Sequence, residues 1–418
     1  GICEGVAAAE ADAEVKAIVV VGGGRAFIAG ADISEFFNPP ENPTHSIFDV
    51  LDALEGSAKL TVAGIHGNAL GGGLEVALSC HYRCGHAKAN YGLPEVKLGL
   101  LPGAGGTQRL PRLIGVERAL PMIASGSFVN GDKAAALGII DAVAKGNITD
   151  AAVAYAEGLL AEGKGPRKIR DNSAAAPSDP AFFDNFAKSI VRRERGNLAP
   201  FNIIECVKAA VNLPFDQGMA RERKLFNQCH QSEQARGMIH MFFSERAANK
   251  IPDVPRDTPI VDVKTAAILG AGTMGGGIAM NFLNAGIPVT MVEASQEALD
   301  RGLGIIRKNY ESTATKGRIT AEDVETRMGL LTPSLDYNDI AEADMVIEAV
   351  FEEMGLKKEI FAKIDTIAKP GAVLATNTST LDVNEIAAST SRPESVIGTH
   401  FFSPANVMRL LENVRGEK

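Results

Sequence analysis

The chain has 418 residues, of which 45% are hydrophobic and 22% are charged, an ordinary composition for a globular protein of two or three domains. The formal net charge is −9 without a basic block, which argues against nucleic acid or an anionic membrane as the main partner. The five cysteines are irregularly spaced, and no apolar run approaches the roughly 18 residues of a membrane span. An anionic small ligand stays compatible with this charge, because helix N-termini bind phosphate even on acidic proteins.

Strand and helix patterns alternate in the first third of the chain. Short apolar runs at 17–21 and 61–65 predict buried strands, and a glycine-rich turn follows each of them. A buried helix is predicted at 74–79 and a shorter one at 132–138. This alternation predicts an α/β domain, which we place at residues 1–165.

Helix-forming residues dominate the next hundred positions, interrupted by prolines and glycines. We assign residues 166–259 to a helical region and linker. Its end is set by three prolines that predict a stiff, extended segment: Pro252, Pro255 and Pro259.

The last segment, 260–418, returns to alternating strands and helices. Predicted helices at 278–285 and 356–368 lie between predicted strands at 265–269, 288–292, 344–347 and 372–375. Strands joined by helices predict a parallel sheet with right-handed crossovers, which we assign to the Rossmann-type doubly wound class.

A G-x-G-x-x-G motif follows the first of these strands. Gly270 permits the tight turn, Gly272 allows the backbone to approach a pyrophosphate, and Gly275 allows the helix to pack on the sheet. Glu293, at the end of the second strand, can bind the ribose 2′-hydroxyl and would repel a 2′-phosphate. The pattern therefore predicts NAD, rather than NADP, as the cofactor.

Polar side chains follow later strands, where ligands sit in this fold. Ser379 comes after one strand, and His400, which follows another, can act as a general base near neutral pH. Glu412, twelve positions further on, can orient the imidazole. The residues alone favour the ordinary alternatives, a buried hydrogen-bonded histidine and a surface glutamate.

Residues from about 260 onward resemble the NAD domain of the 3-hydroxyacyl-CoA dehydrogenases. The resemblance rests on the glycine turn with Met274, Glu293, Lys357 and the runs 348–352, 377–379, 400–402 and 408–412. It implies that His400 takes the 3-hydroxyl proton while hydride passes to NAD, that Glu412 pairs with His400, and that Ser379 contacts the substrate oxygen or the nicotinamide. It also implies that the NAD site is lined by Met274, Val350, Glu352 and Lys357.

Two carboxylates stand out in the first domain, Glu75 within an apolar helix and Glu95 in a loop. Hydration of an enoyl thioester needs a base for water and an acid for the α-carbon, and two carboxylates can supply both. Backbone N–H groups at Ala31 and Gly72 are candidates for binding the enolate oxygen. Solvated surface acids are the ordinary alternative, although an acid in an apolar run is a candidate for a perturbed group.

The region from about 10 to 145 resembles the enoyl-CoA hydratase/isomerase, or crotonase, superfamily. The matching segments are 27–33, 66–75 and 93–110. The resemblance implies that Glu75 and Glu95 together mark a hydratase, that Ala31 and Gly72 form the oxyanion hole, and that Glu95 supports a side activity as a Δ3-Δ2-enoyl isomerase.

No metal is predicted. The cluster Cys80, His81, Cys84 and His86 matches no usual zinc spacing.

In this order, the two domains resemble the multifunctional enzymes of fatty acid β-oxidation, of the bacterial α-subunit type or the peroxisomal bifunctional type. The resemblance implies acyl-CoA thioesters as substrates and a thiolase subunit as a candidate partner. Gly1 in place of Met, and the lack of a helical substrate domain after residue 418, lead us to expect cuts at both ends. A fragment active only as hydratase/isomerase, or one that only binds acyl-CoA or NAD, is the alternative. Absence of a signal segment favours the bacterial cytoplasm, with the peroxisome as the second location.

Overall fold

The computed structural model describes residues 1–36, 45–248, 250–255 and 257–418, which form two compact units, Gly1–Asp253 and Val254–Lys418. Most of the predicted helical region therefore belongs to the first unit. The division at residue 165 stays a prediction.

The first unit contains strands and helices in alternation, followed by helices. The strands are β1 Ala17–Val21, β2 Leu60–Ile65, β3 Asn68–Leu70, β4 Tyr82–His86, β5 Asn90–Gly92, β6 Phe128–Asn130 and β7 Ala142–Ala144. The helices are α1 Ile2–Ala11, α2 Ile47–Gly56, α3 Gly72–Ser79, α4 Gly106–Ile114, α5 Val116–Ser125, α6 Gly131–Leu137, α7 Ile148–Ala161, α8 Phe182–Ile190, α9 Ala199–Asn212, α10 Phe215–His230 and α11 Glu233–Ala248.

A parallel sheet of order β1-β2-β4-β7 forms the base of this unit, and β3, β5 and β6 form a second, smaller sheet. All six residues of β2 are buried, as expected for a strand covered on both faces. Leu60 and Val62 pack beneath α7, while Ala63 and Ile65 face the main core. Gly64 has no room for a side chain, because an added Cβ would lie 2.8 Å from Ala152 of α7.

The helices after α8 pack against the same core. Ile203 and Val207 of α9 and Leu225 of α10 are buried in it. Gly218 of α10 lies so close to α4 that a Cβ would meet the Gln108 side chain at 2.1 Å. This close approach joins α10 to the part of the unit that carries the predicted carboxylates.

The second unit is built around seven strands. These are β8 Ala266–Leu269, β9 Val289–Val292, β10 Leu331–Ser334, β11 Met345–Glu348, β12 Val373–Thr376, β13 Val396–Phe401 and β14 Leu411–Arg415. The helices are α12 Thr273–Asn284, α13 Gln296–Thr315, α14 Ala321–Gly329, α15 Met354–Ile367 and α16 Val383–Ala387.

The sheet has the order β10-β9-β8-β11-β12-β13-β14, parallel except for β14. Alternate strand residues face opposite sides: Ile268 and Ile347 join the core under α12 and α13, whereas Leu269 and Val346 join the core under α15 and α16. Helices on both faces and a reversal of strand order between β8 and β11 define a doubly wound sheet. The predicted Rossmann-type class is confirmed.

Three details differ from the prediction. The strand predicted as buried at 17–21 is present as β1, but all five of its residues are only partly buried. The helix predicted at 278–285 begins earlier, because α12 starts at Thr273, within the glycine motif. The last strand, β14, runs antiparallel to β13, since a short hairpin connects them rather than a helix.

Candidate active sites

A cavity of about 420 Å³ in the first unit is lined by all four residues predicted for hydration. Glu75 comes from the first turn of α3, and Glu95 begins a short 3₁₀ helix, Glu95–Leu98. Ala31 and Gly72 lie on neighbouring segments. The fold therefore brings together residues that span more than sixty positions of sequence.

The Glu75 carboxylate is buried and held by backbone donors. Glu75 is only 3% exposed. Its Oε1 accepts hydrogen bonds from the N–H groups of Ala104 and Gly106, both at 2.8 Å. Burial raises the pKa of Glu75, and these two hydrogen bonds oppose that rise because they favour the charged form. One oxygen of Glu75 is thus fixed, which leaves Oε2 for a ligand.

The Glu95 carboxyl has a different environment. Its Oε2 is buried and has no hydrogen-bond partner among the described residues. Burial raises the pKa of Glu95 well above its ordinary value, and the nearby Glu75 charge raises it further. Both effects favour the neutral, protonated form of Glu95. Gly71 allows the Glu95 side chain to lie against the backbone. It adopts φ +55°, and a Cβ there would lie 2.8 Å from Glu95 Oε1.

The two predicted oxyanion donors lie on segments joined by hydrogen bonds. The Ile28 N–H donates to Asn68 O and the Leu70 N–H donates to Ile28 O, both at 3.2 Å. A Cβ at Gly72 would lie 3.8 Å from Ala31 N. Gly72 is also the first residue of α3, where an N–H has no acceptor within the helix.

A second cavity, of about 780 Å³, opens in the second unit at the carboxyl ends of β8, β9 and β11. Most of the residues predicted for NAD line it: Gly270, Gly272, Met274, Glu293, Val350 and Glu352. Ser379 and His400 also line it. Its position at the reversal of strand order is where this class of sheet binds nucleotides.

The three motif glycines have distinct surroundings. Gly270 has φ +103°, and a Cβ there would lie 2.7 Å from Ala349 O. Gly275 does not line the cavity, and a Cβ there would lie 1.9 Å from Gly270 O, so only glycine permits this contact between helix and turn. Gly272 has open space around its Cα, which leaves room for a pyrophosphate at the start of α12.

Glu293 ends up beside this turn. Its Oε1 accepts from the Ala271 N–H at 3.4 Å and its Oε2 accepts from the Ala294 N–H at 2.6 Å. The carboxylate therefore lies next to the glycine turn at the end of β9, as binding of an adenosine ribose requires. The residues of this cavity fit NAD.

Lys357 was expected to line the NAD site, but its side chain is fully buried behind the cavity wall. Its Nζ donates to both oxygens of Glu348, at 2.8 and 2.9 Å, and lies 3.2 Å from Glu352 Oε2. A cation this far from water needs such partners. Lys357 therefore holds Glu352 in place instead of facing the cavity.

His400 and Glu412 form the pair that the sequence predicted. Nδ1 of His400 lies 2.7 Å from Glu412 Oε2, because β13 and β14 pair these two residues directly across the ladder. The Ser379 N–H donates to Glu352 Oε1 at 3.0 Å, which places Ser379 at the same cavity. Glu412 orients the imidazole from outside the lining.

Comparison with known families assigns both halves. Residues 2–178 match the family "Enoyl-CoA hydratase/isomerase", and residues 265–418 match "3-hydroxyacyl-CoA dehydrogenase, NAD binding domain". The chain joins a domain of each family. The hydratase/isomerase domain comes first and the NAD domain second.

Relatives carry the same pair of domains over nearly the whole chain. The peroxisomal bifunctional enzyme of Cavia porcellus is 42% identical over 99% of this chain and 57% of its own length. The glyoxysomal fatty acid beta-oxidation multifunctional protein of Brassica napus is 38% identical over 96% of this chain and 57% of its own length. The chain thus spans little more than half the length of these relatives. Among solved structures, (S)-3-hydroxybutyryl-CoA dehydrogenase of Ralstonia eutropha is 36% identical, covering 37% of this chain and 55% of that chain with a TM-score of 0.37.

The cavity of the first unit also contains residues that sequence reasoning missed. Helix α10, outside the segment matched to the hydratase/isomerase family, contributes lining residues to it, namely Arg223, Phe226, Asn227 and His230. Nearby, Glu222 is completely buried. A signal was present, because the buried residues of α10 recur at helical spacing and Glu222 falls on that stripe: Phe215, Gly218, Glu222, Leu225 and Cys229.

Three members of the cysteine and histidine cluster, Cys80, His81 and Cys84, are buried, and His86 is only partly buried. The Thr61 N–H donates to His81 Nδ1 at 3.1 Å, and His86 Nε2 lies 3.0 Å from Gly146 O. Cys80 and Cys84 are buried free thiols. Within the described ranges, no group of three or more His, Cys, Asp or Glu side chains is arranged to hold a metal, and no helix is long and apolar enough to cross a membrane.

Proposed function

We propose that this chain hydrates 2-trans-enoyl-CoA to 3-hydroxyacyl-CoA in its first domain, and that its second domain binds NAD for oxidation of that product to 3-ketoacyl-CoA. The observation that carries the proposal is the pair Glu75 and Glu95, two buried carboxyl groups in one cavity with opposite hydrogen-bonding environments. Such a pair separates a base from an acid.

The hydration step follows from that difference. Glu75, with Oε1 fixed, takes a proton from water through its remaining oxygen as the water oxygen bonds to C3 of the enoyl thioester. Charge moves to the thioester oxygen, where the N–H groups of Ala31 and Gly72 stabilise it. Glu95 then gives its proton to the α-carbon, and the site returns to its starting state when the proton on Glu75 passes to Glu95 through solvent. The isomerase side activity would start instead from a 3-enoyl-CoA, with the Glu95 carboxyl group carrying a proton from C2 to C4 of the dienolate that forms.

In the NAD domain, His400 receives the proton of the 3-hydroxyl and Glu412 stabilises the resulting charge. NAD bound here would supply the hydride acceptor. Glu293 and the start of α12 would hold its adenosine and pyrophosphate, while Ser379, positioned by Glu352, would contact the substrate oxygen or the nicotinamide. Met274 and Val350 line the same cavity.

The first test is hydration of crotonyl-CoA, followed as loss of enoyl-thioester absorbance. The chain should be active, and Glu75→Gln and Glu95→Gln should each lower kcat by about 10²-fold or more, the range for losing an acid or base. Glu157→Gln, an exposed change on α7, should leave activity unchanged. A folded chain without activity would overturn the catalytic proposal and leave binding of acyl-CoA or NAD.

Oxidation is tested separately with 3-hydroxybutyryl-CoA and NAD, measuring NADH formation. If the wild-type chain forms NADH and His400→Gln does not, the result supports oxidation as well as hydration by this chain. NADH binding without turnover would restrict the chain to hydratase/isomerase activity.

For location, the names of the relatives place those proteins in peroxisomes or glyoxysomes, so we infer a peroxisomal type of enzyme. The bacterial cytoplasm stays a prediction without such support. A thiolase partner also stays a prediction, which co-purification of the chain with a thiolase would test.

A further inference from the structure

Helix α10 places a carboxylate where its other buried residues are apolar or small. Glu222 is completely buried, between turns that carry Gly218 and Leu225. An ionisable group at such a position is costly unless the surrounding structure gives it partners. The partners that Glu222 has are therefore informative.

Those partners all belong to the turn at the start of α4. Glu222 Oε1 accepts from the Gly105 N–H at 2.7 Å, and Oε2 accepts from the Thr107 N–H at 3.1 Å. The Thr107 hydroxyl also donates to Oε2. Gly105 adopts φ +98°, so the turn needs glycine at this position.

The same turn holds the predicted base. Ala104 and Gly106 donate their N–H groups to Glu75, while the alternate N–H groups of the turn point to Glu222. Four consecutive donors are thus divided between two carboxylates on opposite sides. Loss of either carboxylate would displace the turn, and the displaced turn would move the other carboxylate.

Charge links the groups as well. Burial raises the pKa of Glu222 to about 8, and the Glu75 charge adds to the rise. Glu222 in turn contributes to the raised pKa of Glu95, after burial and Glu75. Titratable and charged side chains that share this environment are Glu75 on α3, Glu95 on its 3₁₀ helix, Arg109 on α4, Cys206 on α9, and Arg221 and Arg223 on α10. Glu35 and His230 line the same cavity as Glu75 and Glu95.

We propose that Glu222 is a positioning residue of the hydratase site, which sets the orientation of Glu75 through the turn 104–107 and makes α10 a part of this active site. The inference rests on the hydratase function proposed above. It gives a helix outside the segment 2–178, which matches the hydratase/isomerase family, the role of positioning Glu75.

The test is Glu222→Gln in the full chain, assayed with crotonyl-CoA. An amide side chain has one acceptor oxygen, so its NH₂ group would face either the Gly105 N–H or the Thr107 donors, which now meet the two oxygens of Glu222. We expect kcat to fall roughly 10- to 100-fold with KM nearly unchanged, the size of effect that a small misplacement of a catalytic group produces. The alkaline limb of kcat/KM should also move to lower pH, because removal of a like charge lowers the pKa of Glu95.

Two further variants keep the test decisive. Thr107→Val removes one donor to Glu222 and keeps the shape of the side chain, so it should produce a smaller fall in kcat in the same direction. Glu157→Gln should change neither kcat nor the pH limb.

Unchanged kcat and pH limb in folded Glu222→Gln would overturn the inference while wild-type hydration upholds the proposed function. A loss of activity proportional to loss of folded protein, with the limb unmoved, would also overturn it, since that is a structural role only. If Glu222→Gln does not fold, Thr107→Val decides, and wild-type kcat in that variant contradicts the inference. Lack of hydration by the folded wild-type chain would remove the proposed function and this inference together.

Discussion

Glu75 and Glu95 have the same side chain and share one cavity, yet their surroundings differ in the hydrogen bonds they offer. Two N–H donors stabilise negative charge on Glu75. Glu95 instead has a buried oxygen without a partner and a carboxylate neighbour. A proton is therefore held more strongly by Glu95, which is the condition for using one group as base and the other as acid.

This asymmetry predicts the pH dependence of hydration. A raised pKa means that Glu95 loses its proton at a higher pH than an ordinary carboxyl group, so kcat/KM should fall as the pH rises through the pKa of Glu95. Residual activity of Glu95→Gln should lack this alkaline limb, because the amide does not titrate. A profile of kcat/KM for crotonyl-CoA between pH 5 and pH 10 checks this, and an identical limb in the variant would contradict the assignment.

Glu293 makes a second prediction at the scale of one residue. Glu293→Ala removes the acceptor for a ribose hydroxyl, so NADH affinity should fall about tenfold, or about 1.4 kcal/mol. NADPH should lose less, because a 2′-phosphate is no longer repelled. The fluorescence of bound NADH or NADPH measures the affinity for each nucleotide. The chain has no Trp, so there is no tryptophan background.

The matched control is Glu297→Ala. Glu297 is an exposed residue of α13 whose side chain is 92% exposed, and its removal should not change either affinity. Equal losses in both variants would point to a general charge effect instead of a ribose contact.

At the scale of elements, the contact between β8 and α12 depends on one glycine. Gly275 lies against the backbone of the Gly270 turn, where a Cβ would be 1.9 Å from the carbonyl oxygen. The adjacent Gly276 has only ordinary contacts, with Ile306 at 3.6 Å. Neighbouring glycines of one helix therefore have different reasons to be there.

Substitution by alanine separates these reasons. Gly275→Ala should lower the melting temperature of the NAD domain and weaken NADH binding, because helix and turn must move apart. Gly276→Ala should be neutral or stabilise by up to about 1 kcal/mol, the helix propensity difference between the two residues. Thermal unfolding and NADH titration of both variants provide the measurement, and equal behaviour would refute this account of the motif.

The hairpin of β13 and β14 is the second decisive pair of elements. It aligns His400 with Glu412 across the ladder, so their contact follows from strand register. A spacing of twelve residues does not by itself imply contact. Here the antiparallel pairing of β13 and β14 brings the two residues into contact.

At the scale of the whole molecule, the chain has two units with separate cores. Each contains one of the two cavities, and the order of the domains follows the order of the proposed chemistry. Each unit is therefore expected to respond to its own ligand.

This separation predicts the effect of NADH on unfolding. NADH at 100 times its Kd should stabilise the NAD domain by about 2.7 kcal/mol and leave the hydratase/isomerase domain unchanged. Calorimetry with and without NADH should show one transition moving and one fixed. Glu293→Ala should reduce the shift, and movement of both transitions would show that the units unfold together.

Much of this protein could be predicted from its sequence. Buried strands such as 61–65, the glycine turn at 270–275 with Glu293 and the paired carboxylates are local patterns, because backbone conformation and chain spacing determine them over a few residues. They were enough for the fold class, for NAD and for the principal candidates.

Only the tertiary structure decided which side chains meet. Lys357 turned out to be a buried support for Glu352 because its surroundings supply carboxylates, and Glu222 joined the hydratase site because α10 packs on α4. Protonation preference likewise depends on burial and on donors from distant segments, as at Glu75 and Glu95. Contacts between residues far apart in the chain are set by packing, and a local pattern carries no information about the partner that packing will provide.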